Sequence, residues 1–209
     1  TDTKHPVAAP PSAPLRETTG HLLLRGWCIF VIAAAVAGTS WLMAFGPLVS
    51  AIVAVGTGLV SGVLWVILRP EVQWRRLPWF AVLYVVWAVA SLLWSAYPSA
   101  TALTLLLLLT TTVQAMFVGA VLTWRELIRA IASALKWILG LSILFELWVS
   151  LVWGGPILPG FVRPEAGVHY DPIVYWSRDN LFDGGRIQGL FGNANPLAYA
   201  ALLAMIVFA

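Results

Sequence analysis

Long apolar runs constrain this chain more than any other feature of its sequence. A helix needs about 20 mostly apolar residues to cross the hydrocarbon core of a bilayer. Five runs have about that length: 27–44, 48–68, 79–96, 101–123 and 137–153. Only 10% of the residues are charged, against about 25% in soluble domains, so most of the surface does not face water. The sequence therefore predicts an all-α, polytopic transmembrane helical bundle with five complete spans.

The two ends of the chain differ from these five runs. A sixth apolar run starts at Pro196 and stops at Ala209. About 14 helical residues rise only about 21 Å, less than the thickness of the hydrocarbon core, so we expect a longer protein in which this sixth span continues. Residues 1–25 are rich in Pro, Ala, Ser and Thr and predict a disordered cytoplasmic tail. The transmembrane domain is predicted over 26–209.

Lysine and arginine are distributed unevenly between the two predicted sides of the membrane. With the N-terminus inside, nine of them lie on the cytoplasmic side, and only Arg163, Arg178 and Arg186 lie outside. Cytoplasmic loops carry an excess of Lys and Arg, so the N-terminus is predicted inside. Because these cations are scattered between spans and form no patch, we expect no nucleic-acid partner.

Charges occur in two settings around the fifth run. In 125–136, Arg125, Arg129 and Lys136 share one helical face, which predicts a helix lying in the inner interface before the chain turns back into the bilayer. Glu146 lies near the middle of the predicted span, where a charge is costly. It either lines a pathway or pairs within the protein, for which Ser142 and Ser150 on neighbouring turns are candidates.

A polar external loop over 154–195 holds the candidate chemistry. It contains three arginines and several acidic residues, with aromatic residues such as Trp176 between them. A connection this long is usually functional when the other external turns are minimal. Aromatic faces beside polar groups suit sugar binding, while the alternative is a loop whose aromatic residues rest on lipid headgroups. Both interpretations remain open on sequence alone.

The last part of this loop suggests an anion site around Arg186. A guanidinium forms two parallel charge-assisted hydrogen bonds to a phosphate and keeps its proton. The surrounding glycines allow tight turns and a close approach of the backbone to a ligand: Gly184, Gly185, Gly189 and Gly192. Asn195 before Pro196 predicts the N-cap of the last span, with its positive dipole end near the loop. The structural alternative is an Arg186 paired with Asp179 or Asp183.

Two segments together resemble the O-antigen ligase and polymerase superfamily over residues 79–209. They are the turn Ser95-Ala96-Tyr97-Pro98-Ser99 and the stretch Arg186-Ile187-Gln188-Gly189-Leu190-Phe191-Gly192-Asn193-Ala194-Asn195-Pro196. The resemblance implies a GT-C glycosyltransferase that moves glycans from an undecaprenyl-pyrophosphate carrier, without metal or cofactor. It also implies that Arg186 contacts the carrier pyrophosphate as the catalytic residue. Members have a second external loop with an acceptor-activating histidine, which has no counterpart in these residues.

The candidate substrate-binding residues combine this resemblance with the chemistry of the loop. They are Arg163, Arg178, Gly189, Asn193, Asn195 and Trp176. The expected partners are a lipid-linked oligosaccharide donor, a glycan or lipid acceptor and the lipid bilayer, at the outer face of a bacterial cytoplasmic membrane. The histidines are far apart in the sequence, and no metal site is predicted.

Two functions of different classes therefore compete. The first is the glycosyltransferase, acting as either a ligase or a polymerase. The second is a transporter or a non-catalytic membrane partner in the export of cell-envelope polysaccharide. An intramembrane charge such as Glu146 favours a transport pathway, but the sequence lacks the internal repeat that many transporters have.

Overall fold

The computed structural model describes residues 19–70, 79–165, 168 and 170–209. These ranges contain six α-helices: α1 (Thr19–Val36), α2 (Gly38–Leu68), α3 (Trp79–Ala90), α4 (Pro98–Val121), α5 (Trp124–Trp148) and α6 (Ala194–Phe208). A 3₁₀ turn over Ser91–Trp94 extends α3, and a π-helical turn over Val149–Trp153 extends α5. The predicted all-α class is confirmed.

Among the described residues, four helices are long and apolar enough to cross a membrane. They are Thr19–Val36, Gly38–Leu68, Pro98–Val121 and Trp124–Trp153, and two shorter apolar helices cover Trp79–Trp94 and Ala194–Phe208. Large apolar side chains are exposed on these helices, as expected for surfaces that face lipid tails. The described chain is therefore all-helical, with helices whose length and composition suit a membrane protein, while the count of five complete spans and the inside position of the N-terminus stay predictions.

The chain reverses direction at Gly46, inside the range of α2, so that the second part of α2 runs antiparallel to α1. Gly46 has φ 84 and ψ 177, within the range assigned to α2, and Pro47 follows it. The Nε1 of Trp27 donates to Ser61 Oγ at 3.2 Å. The two residues lie at similar distances along the chain from this turn, as expected where two helical segments run antiparallel. The break between the predicted runs 27–44 and 48–68 is thus confirmed as a turn. The helix itself starts earlier than predicted, because residues 19–25 are helical, and residues 1–18 of the predicted tail lie outside the described residues.

The fifth run differs from its prediction. A single helix starts at Trp124, so the predicted interfacial segment 125–136 and the predicted span 137–153 are one continuous rod. Thr123 caps it: Glu126 N donates to Thr123 Oγ1 at 3.4 Å, and the Glu126 carboxylate accepts from Thr123 N at 2.9 Å. This capping box fixes the start of the helix, and no proline follows that would end it before the loop. Glu146 therefore lies near the far end of α5 and not at its middle.

Helices α1 and α5 run side by side in the same direction. At one end of the bundle, His21 Nε2 lies 3.2 Å from Glu126 Oε1. At the other end, which we call the loop end, Gly160 N donates to Met43 O at 2.7 Å. The core between α1, α5 and α6 includes Phe191, a loop residue. The long loop, residues 154–193, is therefore packed into the bundle at its loop end.

Candidate functional site

The first half of the long loop is fastened to the helix ends beneath it. Gly154, at φ 70, ends the π-helical turn of α5. A Cβ on Gly160 would collide with the carbonyl oxygen of Ala44, so the backbone approaches the turn at Gly46 closely. Ile157 N donates to Ser177 O at 2.8 Å, and Trp176 N donates to Ile157 O at 2.7 Å. These bonds bring the two halves of the loop together above α5.

The carboxylate of Glu146 is the centre of the contacts between loop and helix. Its side chain is completely buried. Oε1 accepts from Gln188 N at 2.9 Å and from Gly189 N at 2.6 Å, and Oε2 accepts from Ser177 Oγ at 2.8 Å. Each hydrogen bond to a charged group contributes about 1.5–3 kcal/mol, and removing the acceptor leaves buried donors unpaired. Glu146 thus pairs with the loop, and the pairing with Ser142 or Ser150 considered from the sequence is wrong.

Ser142, one turn earlier on α5, completes the same arrangement. Its Oγ accepts from Leu190 N at 3.2 Å. Three consecutive backbone N–H groups, at 188, 189 and 190, therefore point at side chains of α5. Gln188 has right-handed helical angles, with φ −97 and ψ −28, and Gly189 has φ 56, the combination that forms an anion-binding backbone nest. Here the anion in the nest is the protein's own carboxylate.

Gly189 fits this place because it has no side chain. A Cβ there would lie 2.8 Å from Ser142 Cβ and 3.2 Å from Leu197 Cδ2, and its positive φ strains any other residue. The close approach predicted for this glycine is therefore made to α5 and α6. Since its N–H is taken by Glu146, a ligand would have to contact another part of the loop.

Trp176, predicted as a substrate contact, packs against the helix. Its ring stacks on Phe145 of α5, with centroids 4.6 Å apart and planes at 29°. Its Nε1 donates to Leu190 O at 3.0 Å, and the side chain is half-buried. Trp176 thus fastens the same segment that Glu146 and Ser142 hold, and its binding of a sugar stays a prediction.

Arg186 lies at the exposed edge of this fixed segment. Its carbonyl oxygen accepts from Asn180 Nδ2 at 3.4 Å. Over residues 19–70, 79–165, 168 and 170–209, its guanidinium forms no hydrogen bond or ion pair. The alternative in which Asp179 or Asp183 neutralises Arg186 is therefore not realised among these residues. The cation stays available on the surface.

The other two loop arginines are placed differently. Arg178 is half-buried, and its Nε donates to Pro172 O at 2.8 Å, while its backbone N donates to Gln188 Oε1 at 3.2 Å. Arg163 is exposed, and its carbonyl oxygen accepts from Tyr170 Oη at 3.3 Å. In the part of the chain that the structure describes, no hydrogen bond joins either of them to Arg186 through a side chain.

The N-cap of α6 is Asn193, and the prediction of Asn195 was wrong. Asn193 Oδ1 accepts from Asn195 N at 2.9 Å, and the helix begins at Ala194. Asn195 and Pro196 lie inside the first turn, where proline is tolerated because the first N–H groups of a helix have no intrahelical partner. Both asparagines are exposed, so each remains accessible to a ligand.

Sequence reasoning singled out Glu146 but missed the residues that bind it. An ionisable residue in an apolar run is a visible signal, whereas Ser177 and Gln188, which donate to Glu146, are ordinary polar residues that no local pattern distinguishes. The capping box of α5 could have been found, because Thr-x-x-Glu before an apolar run is its known pattern. Within the described ranges, His, Cys, Asp and Glu side chains form no group of three that could hold a metal ion.

The chain matches no protein-family model, no curated protein and no solved structure. The likeness to O-antigen ligases and polymerases therefore rests on the quoted residues alone.

Proposed function

We propose that this protein is a membrane glycosyltransferase that moves a glycan from an undecaprenyl-pyrophosphate carrier to an acceptor, as a ligase or a polymerase does. The reaction would take place at the outer face of a bacterial cytoplasmic membrane. The observation that carries this proposal is the exposed Arg186 guanidinium, without an ion pair among the described residues, on a loop segment that α5 holds in place. The resemblance of the segment 186–196 gives the class of reaction.

A guanidinium held this way suits a leaving pyrophosphate. Charge develops on the carrier phosphate as the glycosidic bond breaks, and a donor already in place stabilises that charge without reorganising. The guanidinium of Arg186 can bind two phosphate oxygens at once. A lipid-linked donor would bring its phosphates to the membrane surface beside the loop end.

The backbone nest at 188–190 limits which groups of this segment can bind the carrier phosphates. Its N–H groups are bound to Glu146 and Ser142, so they are not available to phosphate. Within the described segment 186–196, Arg186 and the first turn of α6, whose dipole favours an anion, remain for the carrier. In this proposal Gly189 supports the site through its packing.

The competing hypothesis of a transporter was favoured by Glu146, because a charged residue within a span had no other explanation. The structure gives that carboxylate three donors from the loop. Its presence in an apolar helix is thus explained without a transport pathway. The glycosyltransferase is therefore the better supported of the two functions.

Substitution of Arg186 in the complete protein tests the proposal. We expect Arg186→Ala to lower release of undecaprenyl pyrophosphate from a lipid-linked oligosaccharide by about 10²–10³-fold, as loss of one stabilising donor does. Arg186→Lys should recover only part of the activity because lysine binds phosphate as a point charge. Arg129→Ala, an exposed arginine on α5, is the matched control and should retain activity.

The same vesicles separate the two functions. A transporter would move the glycan across the membrane without releasing the carrier, and this movement would survive Arg186→Ala. Wild-type release rates in Arg186→Ala would show that the guanidinium does not act on the pyrophosphate.

A further inference from the structure

We propose that Glu146 is the positioning residue of this site: its carboxylate fixes the loop segment that carries Arg186 and leads into α6. The effect on structure stands on the contacts alone. The effect on glycan transfer rests on the proposed function.

One side chain joins parts of the loop that are distant from each other along the chain. Ser177 is 31 positions from Glu146, and Gln188 and Gly189 are 42 and 43 positions away. The backbone N of Arg178 donates to Gln188 Oε1 at 3.2 Å, so the two loop parts also contact each other. Glu146 therefore closes a ring of contacts, and its removal takes hydrogen bonds away from both parts.

The backbone N–H groups at 188–190 need acceptors from the protein because they lie well below the end of α5. Glu146 lies seven residues before Trp153, the last residue of the π-helical turn, or roughly 10 Å below it at 1.5 Å per residue. The segment 188–190 thus runs alongside α5 and not above its end. Non-helical backbone beside a spanning helix must find its hydrogen-bond partners in the protein, because lipid offers none. Glu146 and Ser142 are those partners.

The segment held by Glu146 is adjacent to both proposed phosphate contacts. Arg186 precedes Gln188 by two residues, and Ile187 packs against the core of α5 and α6. On the other side, Phe191 is buried in the same core, and Asn193 caps α6 three residues after Leu190. A shift of the backbone at 188–190 therefore moves Arg186 and the start of α6 together.

Two mild substitutions separate geometry from charge. In Glu146→Gln, the amide oxygen still accepts from Gln188 N and Gly189 N, and the amide nitrogen can donate to Ser177 Oγ, which accepts as well as donates. Glu146→Asp keeps the charge but withdraws the carboxylate by one methylene, so it cannot reach both loop parts. If Glu146 acts by positioning the loop, Glu146→Gln should preserve its role and Glu146→Asp should not.

Hydrogen exchange of the complete protein in lipid nanodiscs measures this directly. We expect Glu146→Asp to speed exchange of the amides of 188 and 189 by about 10-fold, the effect of losing one hydrogen bond, and Glu146→Gln to leave them within about threefold of wild type. Ser142→Ala should speed exchange of the Leu190 amide. Ser150→Ala is the matched control, because the Ser150 hydroxyl has no partner among the described residues.

Glycan transfer by the same variants completes the test. We expect Glu146→Asp to lose about 10-fold in kcat/KM and Glu146→Gln to stay close to wild type. If Glu146→Asp leaves exchange at 188 and 189 unchanged, or if Gln is the worse replacement, the positioning role is overturned whatever the transfer rates are. If exchange responds as expected but the wild-type protein transfers no glycan, the proposed function fails and the positioning role stands.

Discussion

Substitution of Gly189 measures how tightly the long loop is packed against the helices. At this position φ is 56, and a Cβ would lie 2.8 Å from Ser142 Cβ and 3.2 Å from Leu197 Cδ2. An alanine in the left-handed region costs about 1–2 kcal/mol, and an extra methyl group in a well-packed core costs about 1–3 kcal/mol. We therefore expect Gly189→Ala to lower the free energy of unfolding by about 2–5 kcal/mol.

Substitutions of two other loop glycines separate the backbone and steric contributions to this loss of stability. Gly184 has φ 71 but nothing within 4 Å of its Cβ position, so Gly184→Ala should cost only the backbone term, about 1–2 kcal/mol. Gly155 has ordinary φ and open space around it, so Gly155→Ala should change stability by less than about 0.5 kcal/mol. The difference between Gly189→Ala and Gly184→Ala is the steric cost of the contact with Ser142 and Leu197.

The assay is unfolding of the purified protein in mixed micelles, followed by tryptophan fluorescence as sodium dodecyl sulfate is added. A second substitution, Ser142→Gly, removes the Cβ and Oγ that the new methyl would meet. In a double-mutant cycle it should recover at least about 1 kcal/mol of the loss in Gly189→Ala. Equal losses for Gly189→Ala and Gly184→Ala, with no coupling to Ser142, would refute the packing of the loop against α5.

Two further predictions use the same unfolding assay. Asn193→Ala should cost about 0.5–2 kcal/mol because it removes the N-cap of α6, whereas Asn195→Ala should cost less than about 0.5 kcal/mol; the reverse order would restore Asn195 as the cap. Gly58→Ala should cost about 1–3 kcal/mol because its Cβ would overlap Thr110 Cγ2 of α4. Gly62→Ala has nothing within 4 Å and should be neutral or slightly stabilising, and equal losses at both glycines would contradict the α2–α4 contact.

Local features of the sequence were sufficient for the class of fold and for one of its turns. The length and composition of the apolar runs predict membrane helices because the thickness of the hydrocarbon core sets the length of a span. Gly46 and Pro47 indicate the reversal within α2 because a positive φ favours glycine. The start of α5 was also readable from the sequence, in the pattern from Thr123 to Glu126, although the prediction passed over it.

Helix boundaries show where local rules gave competing answers. Asn193 and Asn195 are both good N-cap residues, and the proline after Asn195 favoured the later start. Tertiary packing favours the earlier start of the helix. Phe191 and Leu197 are both buried in the core of α5 and α6, which fixes where the chain enters α6. The identity of a single residue in the sequence does not reveal this packing constraint.

What the sequence determined by itself is an all-helical chain with apolar helices long enough to cross a membrane and one long polar loop that carries three arginines, since these properties depend on composition and on the spacing of apolar residues. Only the tertiary structure decided what Glu146 does, because its three donors come from positions 31 to 43 residues away and a buried carboxylate takes its role from the groups that fold around it. The same contacts decided that the glycine-rich turn encloses a carboxylate of the protein and leaves the Arg186 guanidinium exposed.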